Sequence, residues 1–266
     1  MSEEDLSYLE NPEVFGINVL RPTSSHNHYH NYEDYKHHQE SFKQSLNGEW
    51  LFSYAPNPSV RNKTFYKAEN VDYHDFKTIK VPGHIEMQGY GQMQYINTLY
   101  PWDGHEYLRP PYVSKTDNPV GSYICNFTIK PHLANKHIIL RFEGVESEMN
   151  VYVNGHFVGY SEDSFTPSSF DITPYILSGT NKLAVEVFKH CSGSWLEDQD
   201  MWRFFGIFRE VALYGLPECY VEDVRVTTPL SDEYRKANIN VDLKMMGEGY
   251  NLVAKLMDDD NVIASY

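Results

Sequence analysis

The segment "EMNVYVNGHFVGYSE" constrains the fold more than any other stretch of the chain. Two apolar runs flank Asn154-Gly155, the pair most suited to a type I′ turn because both central residues must take positive φ. The segment therefore reads as a β-hairpin, and its neighbours read the same way. "NKLAVEVFKH" places Leu183, Val185 and Val187 on one face of an extended strand. "HIILRFEGV" and "IFREVALYG" are further strands, and "SLNGEWLFSYAP" is a turn at Asn47-Gly48 followed by an aromatic strand. No amphipathic helical pattern runs through residues 46–217. Short strands joined by loops of irregular length imply an all-β fold, an antiparallel β-sandwich of the jelly-roll kind.

Three regions are expected. Residues 1–45 hold "SSHNHYHNYEDYKHHQES", with His26, His28, His30, His37 and His38. Metal binding is one reading of these histidines. A polar arm lying on another surface is the preferred one, because the spacing is irregular and no cysteine defines a site. Residues 46–217 carry the jelly roll. After Pro217, "YVEDVRVTT", "KANINVDLKMM" and "NLVAKLMDDDNVIASY" give three or four strands, with a turn at Asp258–Asn261. An immunoglobulin-like sandwich needs about seven strands in roughly 100 residues. Residues 218–266 are thus expected to be the start of such a domain, with the chain a fragment of something longer.

Formal net charge is −15 over 266 residues, which disfavours nucleic acid and anionic membrane surfaces as partners. No run of about 18 apolar residues is present, and the acidic start lacks a signal-peptide core. Three cysteines, Cys125, Cys191 and Cys219, are too few and scattered for a disulfide framework. A cytoplasmic location is the simplest expectation.

The chemistry concentrates in "WLEDQDMWRFFGIFRE", residues 195–210, which holds four carboxylates, two tryptophans and three phenylalanines. The long aperiodic stretch 81–113, "VPGHIEMQGYGQMQYINTLYPWDGHEYLRPPYV", belongs with it. A pyranose explains such a mixture: rings cover its C–H face, while carboxylates and amides bond its hydroxyls. The competing reading makes Trp195, Trp202 and Phe205 core anchors and the acids turn caps.

The ordered set "SLNGEWLF", "VPGHIEMQGYG", "YINTLYP", "NPVGSY", "VNGHFVGYSEDSFTPSSFDIT" and "GSWLEDQDMWRFFGIFREV" resembles the N-terminal region of family 2 glycoside hydrolases, most closely the large bacterial β-galactosidase branch. The resemblance implies a galactose-binding-like jelly roll, then an immunoglobulin-like domain, then a TIM barrel holding the two catalytic glutamates. No Asn-Glu pair, the family's mark of the acid/base residue, occurs in the sequence, so no catalytic residue is expected in this chain and the chain alone should be inactive. By resemblance Asn97 and Asp200 line the galactose subsite, and Asp200 helps hold a monovalent cation whose other ligands lie in the barrel. Asp198 is the alternative to Asp200: two residues apart, they would share a face on a strand. Trp202 and Arg203 are expected supports, Arg203 pairing with a nearby acid. His105 and Glu106, in a segment that is shorter in some members, receive no role. The intact enzyme would use magnesium and sodium, act on β-galactosides such as lactose, and form a homo-oligomer or join a partner subunit. A free-standing carbohydrate-binding module, or a β-glucuronidase or β-mannosidase of the same family, are the other readings.

Overall fold

At Asn154-Gly155 both residues have positive φ, 50° and 85°, and the flanking strands pair antiparallel. The computed structural model describes residues 7–67 and 72–266. In chain order its strands are β1 (Gly16–Ile17), β2 (Lys43–Ser45), β3 (Gly48–Ala55), β4 (Lys77–Val81), β5 (Tyr95–Ile96), β6 (Val120–Thr128), β7 (His137–Phe142), β8 (Val145–Glu146), β9 (Glu148–Val153), β10 (His156–Ser161), β11 (Ser168–Asp171), β12 (Thr180–Phe188), β13 (Met201–Trp202), β14 (Gly206–Ile207), β15 (Val211–Leu216), β16 (Tyr220–Thr227), β17 (Leu230–Ser231), β18 (Lys236–Ala237), β19 (Asn240–Met246), β20 (Lys255–Asp258) and β21 (Asn261–Ser265). Among the described residues two short helices, α1 (Tyr32–Lys36) and α2 (Ser194–Glu197), complete the regular α structure.

The chain divides into two units. The larger comprises residues 1–22 and 27–215, the smaller residues 23–26 and 216–266. Most of the segment read as an arm therefore groups with the sandwich. His28 and His30 pack their rings near Phe42, at 6.5 and 4.3 Å between centroids.

The larger unit is an all-β sandwich. Seven strands pair in the order β1-β10-β9-β12-β6-β3-β4, and four in the order β11-β7-β15-β2. The alternation in β12 explains its inward face. Leu183, Val185 and Val187 join Val151 and Val153 of β9 and Trp50 and Phe52 of β3. From the second sheet Leu140, Phe142, Phe170 and Leu213 complete the same core. Each such side chain stabilises the fold by roughly 1.5–3 kcal/mol when fully buried.

The other face of the large sheet is covered as well. Ala184, Ile124 and Tyr152 pack with Phe65, and Tyr66 and Phe76 lie against them. This is why the strands read as nearly continuous apolar runs rather than clean alternation. On that face Arg61 donates to Glu186 at 3.0 Å with both side chains 3% exposed.

The smaller unit pairs β16 with β19 and β20 with β21. Ser24 and His26 dock on β16: the Ser24 amide donates to Asp223 at 2.8 Å, the Val224 amide donates to the Ser24 hydroxyl at 2.9 Å, and His26 Nε2 lies 2.9 Å from the Val221 carbonyl. One of the five arm histidines is thus a strand partner. Val226, Val241, Leu252, Val262 and Ile263 are all exposed in this unit.

Candidate functional site

Two aperiodic segments, 83–96 and 198–207, are zipped together on the larger unit. The Gly83 and Ile85 amides donate to the carbonyls of Ile207 and Phe205, at 2.9 and 3.0 Å, and the Arg203 amide donates to the Gln94 carbonyl at 2.8 Å. Phe205 is fully buried, and its amide donates to the Glu86 carboxylate at 3.1 Å. Gly206 follows with φ +117°, where an added Cβ would lie 2.7 Å from Tyr123 Oη and 2.9 Å from Ile85. Only glycine fits this crossing, and it lets the chain turn into β14, which pairs with β8.

The floor of the zipped region is ionic. Lys189 Nζ donates to Glu86 at 2.8 Å, with side chains 7% and 0% exposed. Arg203 Nε donates to Asp198 Oδ2 at 2.7 Å, and its Nη2 donates to the Leu99 carbonyl. Glu197 accepts from Ser164 Oγ at 2.9 Å. Burial raises the Asp198 carboxyl to about 6 despite the ion pair with Arg203. Burial, together with the charges of Glu86 and Glu197, pushes Glu146 up to about 8. His190 is lowered by burial and by Lys189 and Arg203. A shallow cleft opens over this floor, lined by Glu146, Lys189, His190, Asp198, Trp202 and Arg203.

Above the floor lies an exposed rim. β5 and β13 form a two-stranded ribbon in the register Tyr95↔Trp202 and Ile96↔Met201. That register puts Asn97 and Asp200, the next residues outward, at one end of the ribbon. Both are exposed. Tyr95 Oη donates to Asp200 Oδ1 at 2.5 Å. Asp200 has φ 53°, a left-handed backbone that aspartate tolerates better than most residues. Trp202 is 54% exposed, with the Tyr95 ring at 5.4 Å and the Phe204 ring stacked at 5.7 Å and 4°. The ring series continues from Phe204 to His84 at 4.8 Å and on to Phe208 at 5.0 Å.

The two acids weighed for the site thus differ. Asp198 is not on a strand: it caps α2 and is held by Arg203. Asp200 is on the rim beside Asn97. The aromatic residues also separate. Phe205 is core, and Trp195 is half-buried against Tyr100 and Trp102 with its indole N–H donated to the Tyr112 carbonyl at 3.0 Å. Trp202 is the most exposed of these three. Glu106 binds its own loop, accepting from Ser114 at 2.6 Å and Thr116 at 2.9 Å.

Glu86, Lys189, Glu146 and Tyr95 were not singled out by the sequence. For the first three no local signal exists, since Lys189 and Glu86 are 103 residues apart. Tyr95 carried one, lying two positions before Asn97. Among the described residues no group of three or more His, Cys, Asp or Glu is placed to hold a metal. The Asp200 carboxylate offers a hard oxygen donor, and one of its two oxygens is already occupied by Tyr95. One carboxylate supplies too few oxygen ligands to hold a cation by itself. Among the described residues no helix is long and apolar enough to cross a membrane.

Residues 43–217 match the family described as "Glycosyl hydrolases family 2, sugar binding domain". The chain is 52% identical over 260 residues to a β-galactosidase of Clostridium acetobutylicum, covering 97% of this chain and 29% of that protein. It is 43% identical over 270 residues to a β-galactosidase large subunit of Leuconostoc lactis, covering 97% and 43%. It therefore spans less than half the length of either relative. Its fold is similar to a β-glucuronidase of Bifidobacterium dentium, with a TM-score of 0.63 at 19% identity over 85% of this chain and 39% of that one. A β-glucuronidase of Ruminococcus gnavus gives 0.64 at 18% identity, over 93% and 39%. At such identities the structural likeness speaks to fold alone.

Proposed function

Because this chain belongs to family 2 of the glycosyl hydrolases through its sugar-binding domain, we propose that it is the sugar-binding part of a retaining β-galactosidase. Its substrates are terminal non-reducing β-D-galactosides such as lactose. The observation that carries this reading is the placement of the exposed Asn97 and Asp200 at one end of the β5–β13 ribbon, beside the 54% exposed Trp202. Galactose is preferred over glucuronate because the relatives at 42–52% identity are β-galactosidases.

Asp200 accepts from a sugar hydroxyl through the oxygen that Tyr95 leaves free, and a charged acceptor gives the stronger bond. The Asn97 amide supplies a donor and an acceptor within reach of a neighbouring hydroxyl. Trp202 covers apolar C–H surface. Retaining hydrolysis needs two carboxyls about 5–5.5 Å apart astride the glycosidic bond. Glu86, Asp198 and Glu197 are engaged in internal bonds; the family resemblance implies that the two catalytic carboxyls lie in a barrel domain outside this chain, and on this reading the chain alone is inactive. Sodium would take one oxygen of Asp200 with its remaining ligands from outside the chain; when bound it would fix a sugar hydroxyl. Magnesium would belong wholly to the catalytic domain. The intact protein is a cytoplasmic oligomer or pairs with a second subunit, as the name of the Leuconostoc relative suggests for that protein.

Adding lactose to the purified chain in a calorimeter tests this. No heat of binding is expected at millimolar sugar, while supplying the remaining part of the polypeptide restores nitrophenyl galactoside hydrolysis. Millimolar or tighter binding by the chain alone would instead make it a free-standing binding module.

A further inference from the structure

Asp200 stands on an exposed turn, yet its carboxylate is held. The Tyr95 hydroxyl donates to Oδ1 at 2.5 Å, the short range expected when the acceptor is charged. Tyr95 is itself fixed twice. Its backbone is in register with Trp202, and its ring packs on the indole at 5.4 Å and 43°. Tyr95 is 51% exposed, so water could satisfy the phenol equally well. The bond therefore answers no burial penalty, and its effect falls on the carboxylate.

From this geometry we infer that Tyr95 is a positioning residue for Asp200. It holds one carboxylate oxygen so that the other is aimed at the sugar hydroxyl and the cation. The inference rests on the reading of Asp200 given above. An aspartate on an open turn would otherwise lose rotamer freedom each time it bound ligand. A neighbour that restricts it beforehand moves that loss from binding to folding. Phenylalanine at this position would keep the ring contact with Trp202 and lose only the bond.

The restraint gives a readout independent of turnover. In the unsubstituted chain the Asp200 side chain should hold one χ1 rotamer, read from three-bond couplings, and in Tyr95→Phe it should spread over several. Equal averaging of Asp200 in both chains would overturn the inference.

In the full-length enzyme, Tyr95→Phe should raise both the KM for nitrophenyl β-galactoside and the half-saturating sodium concentration by about 10-fold. In an Asp200→Ala background the same substitution should change neither. Equal losses in both backgrounds would make Tyr95 merely structural, and wild-type behaviour of Tyr95→Phe would overturn the inference outright. Should Asp200→Ala itself hydrolyse like wild type, the reading of Asp200 falls and this one with it. That case is recognised by an Asp200 rotamer still fixed by Tyr95 in an enzyme that does not need Asp200.

Discussion

The floor and the rim of the zipped region use the same residue types in opposite ways. On the floor, Glu86 and Asp198 are covered and matched one to one with Lys189 and Arg203. On the rim, Asp200 is exposed and has a phenol as its partner in place of a cation. A buried carboxylate with a cation is committed to holding two segments together, since removing either partner strands a charge. An exposed carboxylate bonded at one oxygen keeps a free acceptor. The acids of residues 195–210 therefore stand in two different settings, with only one residue between Asp198 and Asp200.

The largest effect that tests this contrast belongs to the floor. Lys189→Ala leaves Glu86 charged and buried, and should lower unfolding free energy by about 3–5 kcal/mol in urea titration. The double substitution Lys189→Met with Glu86→Gln should recover part of that loss. A single substitution costing under about 1 kcal/mol would show that the floor is not structural.

Glu146 gives a smaller effect with a definite sign. Its carboxyl is raised to about 8 in the fold, against 4.5 unperturbed. Between these values the folded chain holds a proton that the unfolded chain has released, so this group makes stability fall as pH rises from about 4.5 to 8. Glu146→Gln should flatten that decline and stabilise the chain by at least about 1 kcal/mol at pH 8.5. An unchanged pH profile would remove Glu146 from the ionic floor.

What the sequence made legible was local. Asn154-Gly155 announced a hairpin because a type I′ turn depends on two adjacent φ angles, and Leu183, Val185 and Val187 announced an inward face because a strand alternates. The cover over the opposite face was not legible, since Phe65, Tyr66 and Phe76 come from a segment without periodicity. The pairing of Lys189 with Glu86 is set by how β12 and the 83–86 segment meet, which no spacing encodes. Asp198 and Asp200 could not be told apart because the argument from a shared face assumed a strand. A helix cap and a left-handed residue stand there instead, and they turn the two acids to different surroundings. His26 was legible as part of a histidine-rich stretch, though not as a partner of β16.

The contrast between floor and rim is tested most directly by comparing Asp200→Asn and Asp198→Asn in the full-length enzyme, measuring kcat/KM and the urea midpoint of each. Asp200→Asn should lower kcat/KM by about 10²-fold with an unmoved midpoint, while Asp198→Asn should shift the midpoint downward by freeing Arg203 in a buried setting. A wild-type kcat/KM in Asp200→Asn would contradict the account.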